Sequence, residues 1–356
     1  MVALLANPLQ RFTIKPTLPP DAPIAVVLYA GGGGVTAGLI QAGIKVAIAV
    51  ELDPDHPQLS TQIGNCYLDN FKDYDCRLIR QTVEMLAAQG FYRFPFQPFL
   101  LQASPVCKRF SIANIDGKGE TAVDIASAEA VATAIAIMQP WHFYLENVVD
   151  YKDSDSFRII VKALRDHGYT IDLENLVVNF ADYGVEQQRR RVILRAARGV
   201  PVIPLPTPIA SQGWLSIIDD LIAGLKNSKP LSGKQQRALE RALVREPDAK
   251  GFIIQRAGVQ KAGAKIRSDR RPMYTLTRMM FTDHQERNRN QVADIWRREE
   301  NGNILIKQPN IECFKRWAGF MPWYDLPDEI GIAGSILGYA VPSYFVYRSF
   351  VKYARS

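Results

Sequence analysis

Apolar residues fall along the first part of the chain in short uninterrupted runs, the pattern of strands buried on both faces, and these runs are separated by stretches of helical spacing. Ile24 to Ala30 is apolar and β-branched and predicts a strand. Gly31-Gly32-Gly33-Gly34 follows at once, and Val35 to Ala42 predicts a helix closed by Gly43. Ile44 to Val50 predicts a second strand, ending in Glu51-Leu52-Asp53-Pro54. Gln58 to Cys66 and Leu78 to Gln89 have helical spacing, with Asp73 to Cys76 in the loop between them. Phe96 to Ala103, aromatic and aliphatic with little charge, suits a buried strand that Ser104-Pro105 ends. Ala122 to Met138 predicts an alanine-rich helix stopped by Pro140, and Trp141 to Leu145 another buried strand, which runs into Glu146-Asn147-Val148. Phe157 to Asp166 is amphipathic and capped by Gly168; Leu173 to Phe180 and Arg191 to Ala196 predict two further strands. This alternation predicts an α/β fold with a doubly wound sheet.

The pattern changes at Gly199 to Pro208, where Pro-Val-Ile-Pro-Leu-Pro-Thr-Pro makes a stiff linker and the natural domain boundary. Beyond it, helices are predicted over Leu215 to Leu225 and Lys234 to Val244. Irregular basic stretches then run to about Leu326 without a sheet pattern, and Glu329 to Val351 predicts a helical return to the first domain. The expected division is a larger domain over residues 1–198, completed by 327–356, and a smaller one over 199–326.

Charge sharpens this picture. The chain carries a net +7, and its cations bunch in Arg189 to Arg198, Lys226 to Arg245, Lys261 to Arg271 and Arg287 to Arg298, which fits a polyanionic partner. With 47% hydrophobic residues the 356-residue chain has ample material for a packed core. It has no run of about 18 apolar residues and no signal-peptide order at its start, so an intracellular, cytoplasmic protein without a membrane partner is expected. Cys66, Cys76, Cys107 and Cys313 are scattered and share no CxxC spacing, which predicts neither a disulfide framework nor a metal site.

Two places carry candidate chemistry. Strand, glycine turn and helix, followed by Glu51 at the end of the next strand, describe a nucleoside-cofactor site: glycines let backbone amides approach the ligand, and the acid can accept from both ribose hydroxyls. Gly32-x-Gly34-x-x-Ala37 also satisfies the dinucleotide fingerprint, so an NAD enzyme fits this stretch as well. The second place is Cys107, set just beyond the apolar run of Phe96 to Ala103, a candidate nucleophile that Lys108 and Arg109 would make easier to ionise. The polar, glycine-hinged segment Asn114 to Gly119 lies in a loop, Lys108 to Thr121, that could close over a substrate. Glu146, at the carboxyl end of its strand, faces the ligand crevice of such a sheet.

Taken in order, the glycine turn, the cysteine strand, Glu146-Asn147-Val148 and Gln187-x-Arg189-x-Arg191 resemble the cytosine-C5 DNA methyltransferases. Tyr29-Ala30-Gly31-Gly32-Gly33-Gly34 is similar to the family's cofactor turn, and Ser104-Pro105-Val106-Cys107-x-x-Phe110-Ser111 to its nucleophile motif. Ile311-Glu312 through Arg316-x-x-Gly319-Phe320 is similar to the motif that braces the small domain, and Gly338-Tyr339-Ala340-Val341-Pro342 to the last motif, which returns to the cofactor pocket. The chain departs from the pattern at Val106 and Lys108, where the family has Pro-Cys-Gln, at Tyr339, where it has Asn, and at Val27, where it has an acid.

The resemblance implies a doubly wound, Rossmann-like S-adenosylmethionine methyltransferase domain with a smaller, irregular target-recognition domain. It implies methyl transfer from S-adenosylmethionine to C5 of a flipped cytosine in double-stranded DNA. Cys107 would be the nucleophile at C6 and Glu146 would hold a proton at N3 and accept from the exocyclic amine. Arg191 would face O2, with Arg189 alongside or bracing the strand. Tyr29, Gly31, Gly32, Gly34, Glu51, Leu52, Asp75, Tyr339 and Val341 would line the cofactor pocket. A monomer paired with a cognate restriction endonuclease is expected. A tRNA cytosine methyltransferase on the same scaffold is the nearer alternative; the large basic region from Lys226 to Arg298 favours DNA.

Overall fold

The structure, a computed structural model, describes Leu9 and residues 11–107, 119–255, 265–277 and 293–354. The chain divides into two compact units. One, here the sheet unit, comprises Ile14–Asn179, Arg190–Thr207 and Ala340–Ser356; the other, the basic unit, comprises Met1–Thr13, Phe180–Arg189 and Pro208–Tyr339. The division therefore falls at Asn179, Arg190, Pro208 and Ala340 instead of at the expected 198 and 326.

In the sheet unit the apolar runs become β1 (Ile24–Leu28), β2 (Lys45–Val50), β3 (Arg77–Ile79), β4 (Leu100–Ala103) and β5 (His142–Asn147), all parallel. β8 (Arg190–Ala197) adds antiparallel to β5, and β6 (Thr170–Asp172) and β7 (Val177–Asn179) pair with β8. The order is β3-β2-β1-β4-β5-β8-β6. Strand β3 stands where a helix from Leu78 to Gln89 was expected: three residues pair with β2 first, and Thr82 then caps the short helix α3 (Val83–Ala88), accepting from the Met85 N–H. Helices α1 (Gly34–Ala42), α2 (Pro57–Phe71), α4 (Ala122–Met138) and α5 (Asp155–Asp166) complete the alternation. Val26, Leu28, Leu101, Phe143, Leu145 and Leu194 are among its fully buried core residues, each contributing on the order of 1.5–3 kcal/mol by leaving water.

The basic unit holds α6 (Gly233–Arg245), α7 (Ile311–Trp317), α8 (Ile330–Tyr339) and a sheet that the sequence pattern did not predict: β9 (Gly251–Gln255), β10 (Ile266–Ser268), β11 (Ala293–Arg298) and β12 (Ile304–Lys307), antiparallel in the order β10-β9-β11-β12. The expected helix over Leu215 to Leu225 is a short 3-10 turn, Asp219–Gly224.

The last helix, α9 (Ser343–Phe350), belongs to the sheet unit and packs on α1. The approach is close at Gly38, where a Cβ would lie 2.4 Å from the Ser343 carbonyl and 2.5 Å from the Val346 Cβ. Ile330 to Phe350 is long and apolar enough to cross a membrane by composition, yet 72% of that window is buried inside the protein.

Candidate active site

Parallel strands bring their carboxyl ends to one edge, and most of the candidate residues of the sheet unit lie there. Cys107 follows β4, Glu146 is the penultimate residue of β5, and Arg191 is the second residue of β8. Because β8 runs antiparallel to β5, Glu146 pairs with Ile193 and Asn147 with Val192, which sets Arg191 at the same end. The Arg191 Nε lies 3.0 Å from a Glu146 Oε1, with both side chains largely buried. The guanidinium also donates to the Arg190 carbonyl at 2.7 Å, so its orientation is fixed from two sides. Asn147 performs a task that sequence reasoning did not assign: its amide donates to the Pro105 carbonyl at 3.0 Å while its side-chain oxygen accepts the Val148 N–H at 2.8 Å. It thereby ties the cysteine turn to the end of β5. Its signal in the sequence was only its place beside Glu146.

Electrostatics correct one expectation. Burial pushes the Cys107 thiol up to about 12, and the Glu146 carboxylate pushes the same way; Arg191 and a backbone hydrogen bond from Val148 oppose them. The thiol is thus harder to ionise, not easier. Lys108 and Arg109, on which the expectation rested, lie outside the described residues, as does most of the loop from Lys108 to Thr121. That loop's return is anchored: the Glu120 carboxylate accepts the Asp155 and Ser156 N–H groups at 2.6 and 2.7 Å, and Thr121 forms a capping box with Asp124.

At the cofactor turn, Gly31 (φ +54) and Gly33 (φ +88) take left-handed backbone that glycine accepts readily. A Cβ at Gly33 would strike Phe71 at 2.3 Å, whereas at Gly31 it would meet nothing within 4 Å. The Gly31 N–H donates to a Glu51 Oε2 at 2.8 Å. Burial raises the Glu51 acid above its ordinary value, against the opposing Gly31 hydrogen bond. An open glycine turn beside a desolvated carboxylate suits a nucleoside whose ribose hydroxyls would donate to that acid. Gly32, Gly34 and Leu52 adjoin this pair in sequence, and Val341, buried, precedes α9. The Tyr29 hydroxyl donates to Glu84 at 3.0 Å and towards the Ser127 carbonyl at 3.4 Å.

A model of the C-5 cytosine-specific DNA methylases matches residues 25–342. The chain belongs to that family. The chain is 26% identical over 286 residues to the Type II methyltransferase M.XorII of Xanthomonas oryzae, covering 77% of the chain and 62% of the relative. It is 31% identical over 179 residues to the Type II methyltransferase M.PspPI of a Psychrobacter strain, covering 49% and 39%. The chain therefore spans less than two thirds of the length of these relatives. Among solved structures, a putative DNA modification methyltransferase encoded within an E. coli prophage matches 92% of this chain and 97% of its own at a TM-score of 0.58 and 17% identity. The DNMT2 of Spodoptera frugiperda matches 94% of the chain and 100% of its own at a TM-score of 0.60 and 14% identity, a likeness of fold.

Arg189 and Tyr339 belong to the basic unit, and Asp75 lies at the other edge of the parallel strands. The buried guanidinium of Arg189 donates to the carbonyls of Leu276 and Gly338 at 3.1 and 3.0 Å and so braces the basic unit. Asp75 precedes β3, at the amino end of the parallel strands and so at the edge opposite Glu51; it is exposed and paired with Lys45 at 2.8 Å. Tyr339 ends α8 in the basic unit and is 61% exposed.

Proposed function

We propose that this chain methylates C5 of cytosine in double-stranded DNA, at a specific sequence, with S-adenosylmethionine as methyl donor. The observation that carries this reading is the Glu146–Arg191 pair at 3.0 Å beside a half-buried Cys107. C5 of cytosine is a poor nucleophile, and addition of the Cys107 sulfur to C6 converts the ring into an enamine. Glu146 holds a proton at N3 and accepts from the exocyclic amine, which selects cytosine. Arg191 donates to O2 as negative charge grows there.

Glu146 and Cys107 are electrically coupled. While the carboxylate is bare it holds the thiol up; once it shares a proton with N3, that opposition ends and Arg191 favours the thiolate. Entry of the base therefore helps to generate the nucleophile: the Cys107 S–H bond breaks as S–C6 forms, and one proton comes to lie between N3 and Glu146. S-adenosylmethionine supplies the electrophilic methyl group, and Glu51 with the Gly31–Gly34 turn would hold its nucleoside end. After transfer a base removes the C5 proton, and the restored double bond expels the Cys107 sulfur. The target must leave the helix to be reached, at a cost of a few kcal/mol. The protein would act inside the cell on chromosomal DNA as a monomer, with a cognate restriction endonuclease.

A duplex carrying 5-fluorocytosine at the target has no removable C5 proton, so the enzyme should stay attached through denaturing electrophoresis. Cys107→Ser should abolish the adduct and leave DNA binding largely intact. A folded protein that binds S-adenosylmethionine yet forms no adduct would refute the reading, and an adduct with RNA alone would move it to an RNA substrate.

A further inference from the structure

One buried carboxylate of the basic unit has no part in this chemistry. Glu186, immediately before Gln187, is 5% exposed. One of its oxygens accepts the Ser211 hydroxyl and the Gly213 N–H (3.0 Å), and the other accepts the Gln212 N–H at 2.7 Å. Its own carbonyl accepts the Met273 N–H at 2.8 Å. Among the described residues no cation pairs with it. Burying a carboxylate without a cation is costly unless donors around it are fixed; here three consecutive residues, Ser211 to Gly213, supply them.

What those residues hold is a turn. Gly213 has φ +93, and a Cβ there would lie 1.8 Å from the Asp269 carbonyl, so the two backbones touch. The Trp214 N–H donates to the Arg271 carbonyl and its indole N–H to the Ser268 carbonyl, both at 2.9 Å. The Arg271 N–H closes back on the Ser268 carbonyl at 3.2 Å. On this turn Arg270 and Arg271 are exposed, whereas one Asp269 carboxylate oxygen is buried, so the cations are what the turn presents.

We infer that the turn Ser268–Arg271 grips the DNA backbone through Arg270 and Arg271, and that Glu186 is its positioning residue, acting through Ser211–Trp214. The inference rests on the reading of the chain as a DNA methyltransferase. Guanidinium groups match phosphate oxygens in pairs, and a pair pre-set by a rigid turn loses little freedom on binding.

The test uses the full chain and a duplex that the wild type methylates. Arg270→Gln and Arg271→Gln, both surface changes, should each weaken duplex affinity about five- to tenfold and lower the slope of log affinity against log salt by about one, with S-adenosylmethionine affinity unchanged. Glu186→Gln should raise KM for DNA about tenfold at unchanged kcat. A role confined to folding would instead lower the active fraction, and so kcat, at unchanged KM. If Glu186→Gln fails to fold, Ser211→Ala, which removes one donor of three, should raise the same KM by a smaller factor. Unchanged affinity and slope in both arginine variants would overturn the contact, and a kcat loss at constant KM in Glu186→Gln, or an unchanged KM in Ser211→Ala, would overturn the positioning role. A wild type that methylates no DNA sinks the underlying reading instead, a separate outcome.

Discussion

Two buried glutamates, one in each unit, are kept in different company. Glu146 in the sheet unit lies 3.0 Å from a guanidinium, while Glu186 in the basic unit is held by a hydroxyl and two backbone N–H groups. A cation neutralises a carboxylate but leaves its outer oxygen free to trade protons with a ligand. A ring of short donors spends the oxygens on the protein itself. The first arrangement suits chemistry and the second suits shape, and the environment of each acid separates the roles that its residue type does not.

Breaking the first arrangement should have the largest effect. Arg191→Ala leaves Glu146 buried without its cation and removes the donor proposed for O2, so stability should fall by about 2–4 kcal/mol and kcat by roughly 10²–10³. Urea unfolding and single-turnover rates measure the two losses separately. An equal rate with intact protein would remove Arg191 from the site.

The glycines extend the comparison. Gly213→Ala places a methyl group against the Asp269 carbonyl at a left-handed φ, and should cost about 2–3 kcal/mol of stability. Gly31→Ala meets open space at φ +54 and should cost only about 1–2 kcal/mol, while the added methyl obstructs the nucleoside and weakens S-adenosylmethionine binding. Thermal melts with and without cofactor distinguish a glycine that shapes the chain from one that leaves room for a ligand.

Glu51 should show the conflict between binding and stability. Its acid is raised in the folded protein, so protonation favours folding and that stabilisation fades as pH rises through the raised value. At neutral pH Glu51→Gln should therefore raise the melting temperature of the ligand-free protein. It should also weaken S-adenosylmethionine binding by about 1.5–3 kcal/mol, and the affinity of the wild type should begin to fall at a higher pH than for an ordinary glutamate. Loss of stability in the variant would contradict the sign. The smallest effect is expected from Asp75→Ala, which should leave cofactor affinity unchanged because that acid is exposed at the opposite edge of the sheet.

The sheet unit was legible because parallel strands buried on both faces write themselves as apolar runs, and their carboxyl ends locate Glu51, Cys107 and Glu146 without further information. The antiparallel sheet of the basic unit was not, since β10 and β12 are short and half-exposed and their sequence alternation is diluted by charge. Of the two places expected for Arg189, alongside Arg191 or bracing the strand, spacing alone does not choose: residues two apart share a face only within a strand, and β8 begins at Arg190, while the Arg189 carbonyl is taken by the Phe180 N–H at 3.0 Å. Asp75 misled because proximity along the chain does not say at which end of a three-residue strand a side chain sits. The thiol misled because desolvation and a facing carboxylate, neither legible along the chain, push it up.

The contact of Gly38 with the Ser343 carbonyl has a consequence for the order of synthesis. The sheet unit is assembled from three separated segments, with the basic unit threaded between them, and α1 receives its partner only when α9 has left the ribosome. Until then the nascent chain exposes the apolar flank of α1, and long-range closure of this kind is slow. The basic unit lies upstream of α9, so it can finish folding while the sheet unit is still waiting for α9. During that interval the cell would hold a chain able to fold around its cations before it can fold around its cysteine.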